Sequence, residues 1–249
     1  MAEQAHAAEG HAQSIFYGPV NRVWDALASR IGIEERFGPT DVPEHVVMSL
    51  VVLAAVCVMV VPLRASLRPK DPGWFQQFAE VVVQSLSNLL DDVIGEGASR
   101  RYLPMIGTFA VFIFLSNLAG QFFFLQPPTQ NTNTTFALSI TACLFYHWNG
   151  VRSHGFGYLK QFLGPVPWLI PLMLPLEIVT HIARVFSLGI RLFGNIFGEH
   201  TAASIFFGLV PFLLPLPLMA LGLFASFIQM FIFVMLTTIY IAGAEAEAH

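Results

Sequence analysis

Two long stretches of this chain contain no charged side chain. Neither Asp, Glu, Lys nor Arg occurs between Arg101 and Arg152, and none occurs from His200 to Ala244. A transmembrane helix needs about 20 mostly apolar residues, so each stretch has room for two spans. Because a helix satisfies its backbone hydrogen bonds within one segment, the two stretches predict an all-α integral membrane protein.

The composition excludes several other classes of protein. Only 11% of the residues are charged and 55% are hydrophobic, whereas soluble domains carry about 25% charged residues. The net charge is −4 and no basic run occurs, which disfavours nucleic acid as a partner. No G-x-S-x-G, Walker loop, C-x-x-C or H-E-x-x-H motif is present, so the sequence predicts no cofactor, no metal and no catalytic centre.

Hydropathy divides the chain into a polar N-terminal segment, residues 1–41, and a membrane domain, residues 42–249. Five spans are predicted, at about 46–63, 103–125, 136–148, 166–209 and 212–244. The third is short, so we expect it to extend at one end or to lie in a thinned region. The last two exceed a perpendicular span, which requires a steep tilt or breaks.

Residues 74–94 show a different pattern. Apolar side chains such as Trp74, Phe78 and Leu89 recur at helical spacing, with acidic and amide side chains opposite them. This pattern predicts an amphipathic helix. Since its polar face carries no cation, we expect it to pack along the membrane surface or against other subunits. A further short helix is expected around residues 19–30.

Cations are distributed unevenly between the predicted loops, and cytoplasmic loops carry the excess of Lys and Arg. On this rule the N-terminus lies outside and the C-terminus is cytoplasmic. The cations on the predicted inside are Arg64, Arg68, Lys70, Arg100, Arg101, Arg152 and Lys160, and those outside are Arg22, Arg30 and Arg36.

Residues 177–200 place charges within an otherwise apolar segment. A charge at the bilayer centre costs roughly 2.5 to 3.5 kcal/mol. At about 100° per residue, six polar side chains share one stripe that is about 80° wide. They are Arg191, Arg184, Glu177, Asn195, His181 and Glu199. Ionisable residues inside membranes are by default functional, so this stripe is the candidate site.

Alternatives to a functional stripe remain open. The two carboxylates and two guanidiniums could neutralise one another and hold the bundle together. Glu177 and His181, with Glu199 and His200, could hold a metal ion. A secondary transporter with a charged site at the midplane, or an intramembrane hydrolase, would also place polar groups here, but no inverted repeat and no nucleophile–base pair is evident.

Polar side chains outside the stripe have simpler interpretations. Gln229 lies on a faint polar face of the last apolar segment and could meet Arg191. Asn117 and Gln121 are expected to be hydrogen-bonded within the bundle. His147, close to a predicted span end, is expected to anchor the chain at the interface.

Residues 187–195, SLGIRLFGN, resemble the signature of subunit a of F-type ATP synthases. Ser116-Asn117-Leu118, the turn at 127–135, Glu177 and Phe227-Ile228-Gln229 also match, and the resemblance covers about residues 43 to 244. It implies a stator subunit in the bacterial inner membrane, beside a ring of c subunits and the b subunits of a peripheral stalk. The coupling ion, a proton or sodium, is the only small substrate implied.

The resemblance also implies roles for individual residues. Arg191 corresponds to the essential arginine of the family, Asn195 and Gln229 to its polar neighbours, and Glu177 to a residue of the cytoplasmic exit path.

One position departs from the family pattern. Many relatives carry His or Glu at position 222, paired with position 200, whereas this chain has Gly222 and His200. His200 falls about 180° from Arg191 on the helix, so we expect it to face the last helix or the outside. Glu199 and His200 together are expected to deliver protons from the outside, and Gly222 to leave room for water.

Overall fold

The computed structural model describes residues 16–31, 42–65, 67, 73–122, 125–158, 170–209 and 215–246. Within these ranges the regular structure is entirely helical, as predicted. Its seven α-helices are α1 (Tyr17–Ile31), α2 (Glu44–Ala65), α3 (Trp74–Val93), α4 (Ala98–Ala119), α5 (Thr132–His154), α6 (Ile170–Leu209) and α7 (Pro215–Ala246). Short 3₁₀ turns occur at Pro128–Gln130 and Gly155–Gly157.

Four segments of these helices are long and apolar enough to cross a membrane: Glu44–Pro62, Ala98–Ala119, Ile170–Ala203 and Pro217–Glu245. The chain is therefore a multi-pass membrane protein. Helix α5 is not among the four, although a span was predicted within it. Thr and Asn side chains in its first turn and Arg152 near its end lower its hydropathy.

Helix α5 is longer at both ends than the predicted 136–148. It has 23 residues, about 34 Å, which is enough to cross a hydrocarbon core of about 30 Å. The helix begins early because the Asn131 side chain accepts a 2.9 Å hydrogen bond from the Asn133 backbone N–H. It ends at Gly155, whose φ of 56° suits glycine.

Helix α4 begins and ends earlier than the predicted 103–125. Its first turn is fixed by Asp91, whose carboxylate accepts hydrogen bonds from the Ser99 backbone N–H and Oγ, both at 2.9 Å. Gly97, the residue before this helix, has φ of 87°, a left-handed backbone conformation that favours glycine. The helix ends before Gly120, so residues 120–122 form a turn and residues 123–124 lie outside the described part.

Helices α6 and α7 are each continuous over their described lengths. Helix α6 has 40 residues and α7 has 32, which correspond to about 60 Å and 48 Å. Both exceed a bilayer core of about 30 Å, and of the steep tilt or breaks expected from the sequence, the described residues of these helices show no break. Residues 166–169 and 211–214, within or between the predicted last spans, lie outside the described residues.

Helices α4, α5, α6 and α7 pack together into one bundle, in which α5 contacts both α6 and α7. Its apolar core includes Ile106, Ile113, Leu192 and Phe233, each at most 1% exposed. Polar side chains are buried in the same bundle, among them Ser116, Asn117, Ser139, Ser226, Gln229, Thr237 and Thr238. Such groups join helices in a membrane, where small and polar residues line the contacts.

The outer elements attach to this bundle. Helix α3 packs its last turns, including the fully buried Leu90, against α4, while Trp74 and Phe78 near its start are exposed. At the N-terminus, the Asn21 side chain accepts a 3.0 Å hydrogen bond from the Val42 N–H, which holds α1 beside the start of α2. Residues 1–15 and 32–41 of the predicted polar segment lie outside the described part.

Candidate functional site

Arg191 lies on the exposed part of α6, whereas Leu188, Leu192 and Ile196 of the same segment are buried. Among the described residues, the ion pairs that the structure shows, Arg101–Glu245 and His181–Glu177, include neither guanidinium of the stripe. Arg184 instead lies over the ring of Tyr240, at 5.0 Å from its centroid. Internal neutralisation between two carboxylates and two guanidiniums is therefore wrong for this stripe.

Asn195 and Gln229 connect α6 and α7 one helical turn beyond Arg191. The Asn195 amide donates a 2.5 Å hydrogen bond to Gln229 Oε1, and Gln229 is 2% exposed. The sequence left open that Gln229 meets Arg191 across the two helices. In the structure Gln229 is hydrogen-bonded to Asn195. Because Asn195 is four residues after Arg191, the Asn195–Gln229 pair lies one turn from the Arg191 guanidinium along α6.

Glu199 extends inward from α6 toward α4 and α7. Its Oε1 accepts a 2.5 Å hydrogen bond from Gln121 Nε2. The same carboxylate lies directly against Gly222, where it occupies the place that a β-carbon would take. The expected space for water beside Gly222 is thus filled by the Glu199 carboxylate.

His200 packs against the end of α4. Its Nε2 is so close to Gly120 that a β-carbon there would lie 2.8 Å away, and Pro127 packs against the same glycine. We expected His200 to face the last helix or the outside. It contacts Gly120 in the turn that follows α4. Glu199, the residue before it on α6, contacts Gln121 in the same turn and Gly222 on α7.

Glu177 and His181 form a second polar group, near the other end of α6. Glu177 Oε1 lies 3.2 Å from His181 Nε2, and Tyr146 Oη lies 2.8 Å from His181 Nδ1. His181 is 8% exposed, so it belongs to the interior and not to the exposed side of the stripe.

Two of the contacts in these clusters were not predicted from the sequence. Gln121 was expected only to be satisfied within the bundle, and it holds Glu199. His147 was interpreted as an interfacial anchor, yet its ring centroid lies 4.6 Å from that of His181. Their spacing along the sequence gives no sign of these partners, because the contacts join different helices.

Arg191 divides the polar groups of α6 into two sets. Glu177 and Glu199 are 22 positions apart, about 33 Å along the helix, and the arginine lies between them. The metal-site alternative requires these acids and their neighbouring histidines to converge, and within the described ranges no such group of ligands forms. The arrangement is that of two polar clusters separated by one exposed cation.

A comparison with protein families identifies the chain. The family described as ATP synthase A chain matches residues 46–242, which include most of α2, all of α3 to α6, most of α7 and every residue of both clusters. The chain belongs to the ATP synthase A chain family. Membership of this family supports the role of subunit a in an ATP synthase over that of a secondary transporter.

Relatives in the ATP synthase A chain family agree over most of their lengths. The chain is 44% identical over 198 residues to ATP synthase subunit a of Geobacter sulfurreducens, which covers 79% of this chain and 86% of the relative. It is 49% identical over 178 residues to ATP synthase subunit a 1 of Syntrophotalea carbinolica, covering 72% and 76%. ATP synthase subunit a 3 of Pelobacter propionicus is 46% identical, covering 72% and 77%.

Proposed function

We propose that this chain carries protons between two half-channels and a ring of c subunits, with Arg191 as the residue that separates the half-channels. The exposure of Arg191 is the observation that supports this most. Its exposed neighbours one helical turn away are Ser187, Gly194 and Asn195, none of them anionic, and α6 also exposes large apolar side chains, including Phe186, Ile190 and Phe197. A guanidinium in such surroundings requires a counter-charge from outside the chain, and a carboxylate on the ring provides one.

The chemistry of arginine suits this role. A guanidinium stays protonated in proteins, so Arg191 holds a fixed charge and conducts no proton itself. At 4 Å and an effective dielectric near 20, it favours an ionised carboxylate by about 4 kcal/mol. A ring carboxylate must therefore release its proton on one side of Arg191 and bind another on the other side. Each charge that crosses 100 mV contributes about 2.3 kcal/mol to the rotation.

The two polar clusters provide the groups for two paths. Glu199 and His200 form the path by which protons reach the ring from the outside, with Gln121 and Gly222 placing the carboxylate. Glu177 belongs to the path by which they leave to the cytoplasm. Carboxylates and imidazoles both bind and release protons near physiological pH when their surroundings allow it.

The arrangement in the membrane follows from the helices. We assign five spans, α2, α4, α5, α6 and α7, with α3 at the membrane surface and residues 1–41 outside the hydrocarbon. Helix α5 qualifies as the fifth span because it is long enough and packs against α6 and α7. The N-terminus lies outside and the C-terminus in the cytoplasm of a bacterial inner membrane. The exposed apolar residues of α3 suit contact with lipid or with the b subunits.

The test is substitution of Arg191 in the assembled complex. Arg191→Ala is expected to abolish ATP-driven proton pumping while the complex still co-purifies with its ring, because the exposed side chain supports no contact of the fold. Arg191→Lys is also expected to fail, since an ammonium lacks the planar fork and loses its proton more readily when desolvated. Normal pumping by either variant would remove Arg191 from the mechanism.

A further inference from the structure

The group around His181 extends beyond the residues of the proposed exit path. On one side of its ring lies Tyr146 Oη, 2.8 Å from Nδ1, and on the other lies Glu177 Oε1, 3.2 Å from Nε2. The ring of His147 lies beside it, tilted by 52° and with the centroids 4.6 Å apart, and His147 Nδ1 is 2.7 Å from Tyr158 Oη. The imidazole thus has Nδ1 within hydrogen-bond distance of a hydroxyl and Nε2 within 3.2 Å of a carboxylate oxygen.

A small cavity lies beside this group, between α5, α6 and α7. It has a volume of about 10 Å³, about what one water molecule needs, and Tyr146, Arg184 and Leu188 are among its lining residues. Leu188 is three residues before Arg191, so the cavity ends within one helical turn of the arginine. From the cavity to Glu177, the consecutive groups are Tyr146, His181 and the carboxylate.

We propose that His181 relays protons from the Arg191 level to Glu177, through Tyr146 and the cavity between α5, α6 and α7. Tyr146 passes its hydroxyl proton to His181 Nδ1 and takes another from water in the cavity. His181 then releases the proton on Nε2 to the Glu177 carboxylate, and a half-turn of the imidazole about its Cβ–Cγ bond exchanges the places of its two nitrogens, so that the bare Nε2 accepts the next proton from Tyr146. One proton moves from the cavity to Glu177 and no other atom changes its bonds. The relay rests on the proposed function.

The groups that face His181 come from three helices and the turn after α5. From α5 they are Tyr146 and His147, from the turn Tyr158, from α6 Glu177 and Arg184, and from α7 Tyr240 by way of its ring contact with Tyr146. The competing explanation is that these aromatic rings only pack the bundle. A packing role depends on the shape of the ring, whereas a relay depends on its ability to bind a proton. An experiment can separate the two.

The experiment uses inside-out membrane vesicles that contain the complete complex, from which the catalytic head is then stripped. Passive proton flux is driven by a potassium diffusion potential. His181→Ala is expected to lower this flux at least about tenfold, since a positioned acid–base group contributes that much or more. Added imidazole restores the flux, whereas pyrazole, a ring of the same shape that binds no proton near neutral pH, does not. His154→Ala is the matched control, because His154 bonds the Glu245 backbone and lies outside the cluster.

Unchanged flux in an assembled His181→Ala complex would overturn the relay, and so would equal rescue by pyrazole, which shows packing alone. If His181→Ala does not assemble, His181→Gln is measured, since an amide keeps hydrogen bonds but cannot carry a proton; parental flux in that variant overturns the proposal as well. Absence of flux in parental vesicles would instead reject the proposed function itself.

Discussion

The carboxylate of Glu199 on α6 lies over the α-carbon of Gly222 on α7, in the space of the missing β-carbon. Gln121 on the turn after α4 holds it there at 2.5 Å. The absence of a side chain at residue 222 is therefore what allows a carboxylate from the neighbouring helix to reach this position. The acid sits where a side chain at residue 222 would begin.

Gly222→Ala is expected to displace the Glu199 carboxylate without unfolding the chain, because the atoms that would collide belong to the end of a flexible side chain. ATP synthesis driven by an imposed proton gradient should fall about tenfold or more. Gly243→Ala, on the same helix with open space at its β-carbon, is the control and should leave the rate unchanged.

Moving the acid tests the same relationship. Glu199→Ala with Gly222→Glu returns a carboxylate to this place from the other helix, and we expect it to recover much of the activity lost in Glu199→Ala alone. If Gly222→Ala synthesises ATP at the parental rate while Glu199→Ala does not, the position of the carboxylate over Gly222 has no functional importance.

The Asn195–Gln229 hydrogen bond is expected to couple the two long helices energetically. Interhelical hydrogen bonds in membranes contribute about 0.6 to 2 kcal/mol. A double-mutant cycle with Asn195→Ala and Gln229→Ala, measured by unfolding in SDS, should give a coupling energy in that range. Thr238→Val serves as the control, since its hydroxyl donates to Val234 of its own helix. Strictly additive effects of the two alanines would show that the pair contributes nothing to the joint.

The sequence predicted the stripe on α6 because all its members lie on one helix, where a fixed rotation per residue relates them. It could not place Gln121 or Gly222 beside Glu199, since three elements meet there and only packing sets their registers. Helix α5 was predicted too short for a related reason. Its ends are polar, so hydropathy marks only its middle, while the Asn131 cap and packing against α6 and α7 extend the helix.

Opposite ends of α5 should be accessible from opposite faces of the membrane. Asn131 and Ser153 are 22 positions apart, about 33 Å along the helix. Single cysteines at these positions, in a background with Cys57→Ala and Cys143→Ala, are expected to react with an impermeant thiol reagent in intact cells for Asn131 and in inside-out vesicles for Ser153. Reaction of both from the same face would reject α5 as a span and the topology built on it.

Asp91 joins the end of α3 to the start of α4, and its contribution should depend on pH. Hydrogen bonds from the Ser99 backbone N–H and Oγ hold the pKa of this carboxyl below its ordinary value of 3.8. Because the pKa is lower in the folded chain than in the unfolded chain, the unfolded state binds more protons as the pH falls. The stabilisation is therefore present above the unfolded pKa and is lost as the pH drops through the folded one. Asp91→Asn should lower the unfolding midpoint of the detergent-solubilised chain at pH 7, and the difference from the parent should shrink as the pH falls from 3.8 through the lower pKa of the folded chain, below which the parental carboxyl is neutral as well. Asp92→Asn, one residue further along and exposed, changes the same charge without touching Ser99, so it should have little effect. A difference that persists undiminished at low pH, or an equal effect of Asp92→Asn, would mean that the ionised Asp91 does not stabilise the joint between α3 and α4.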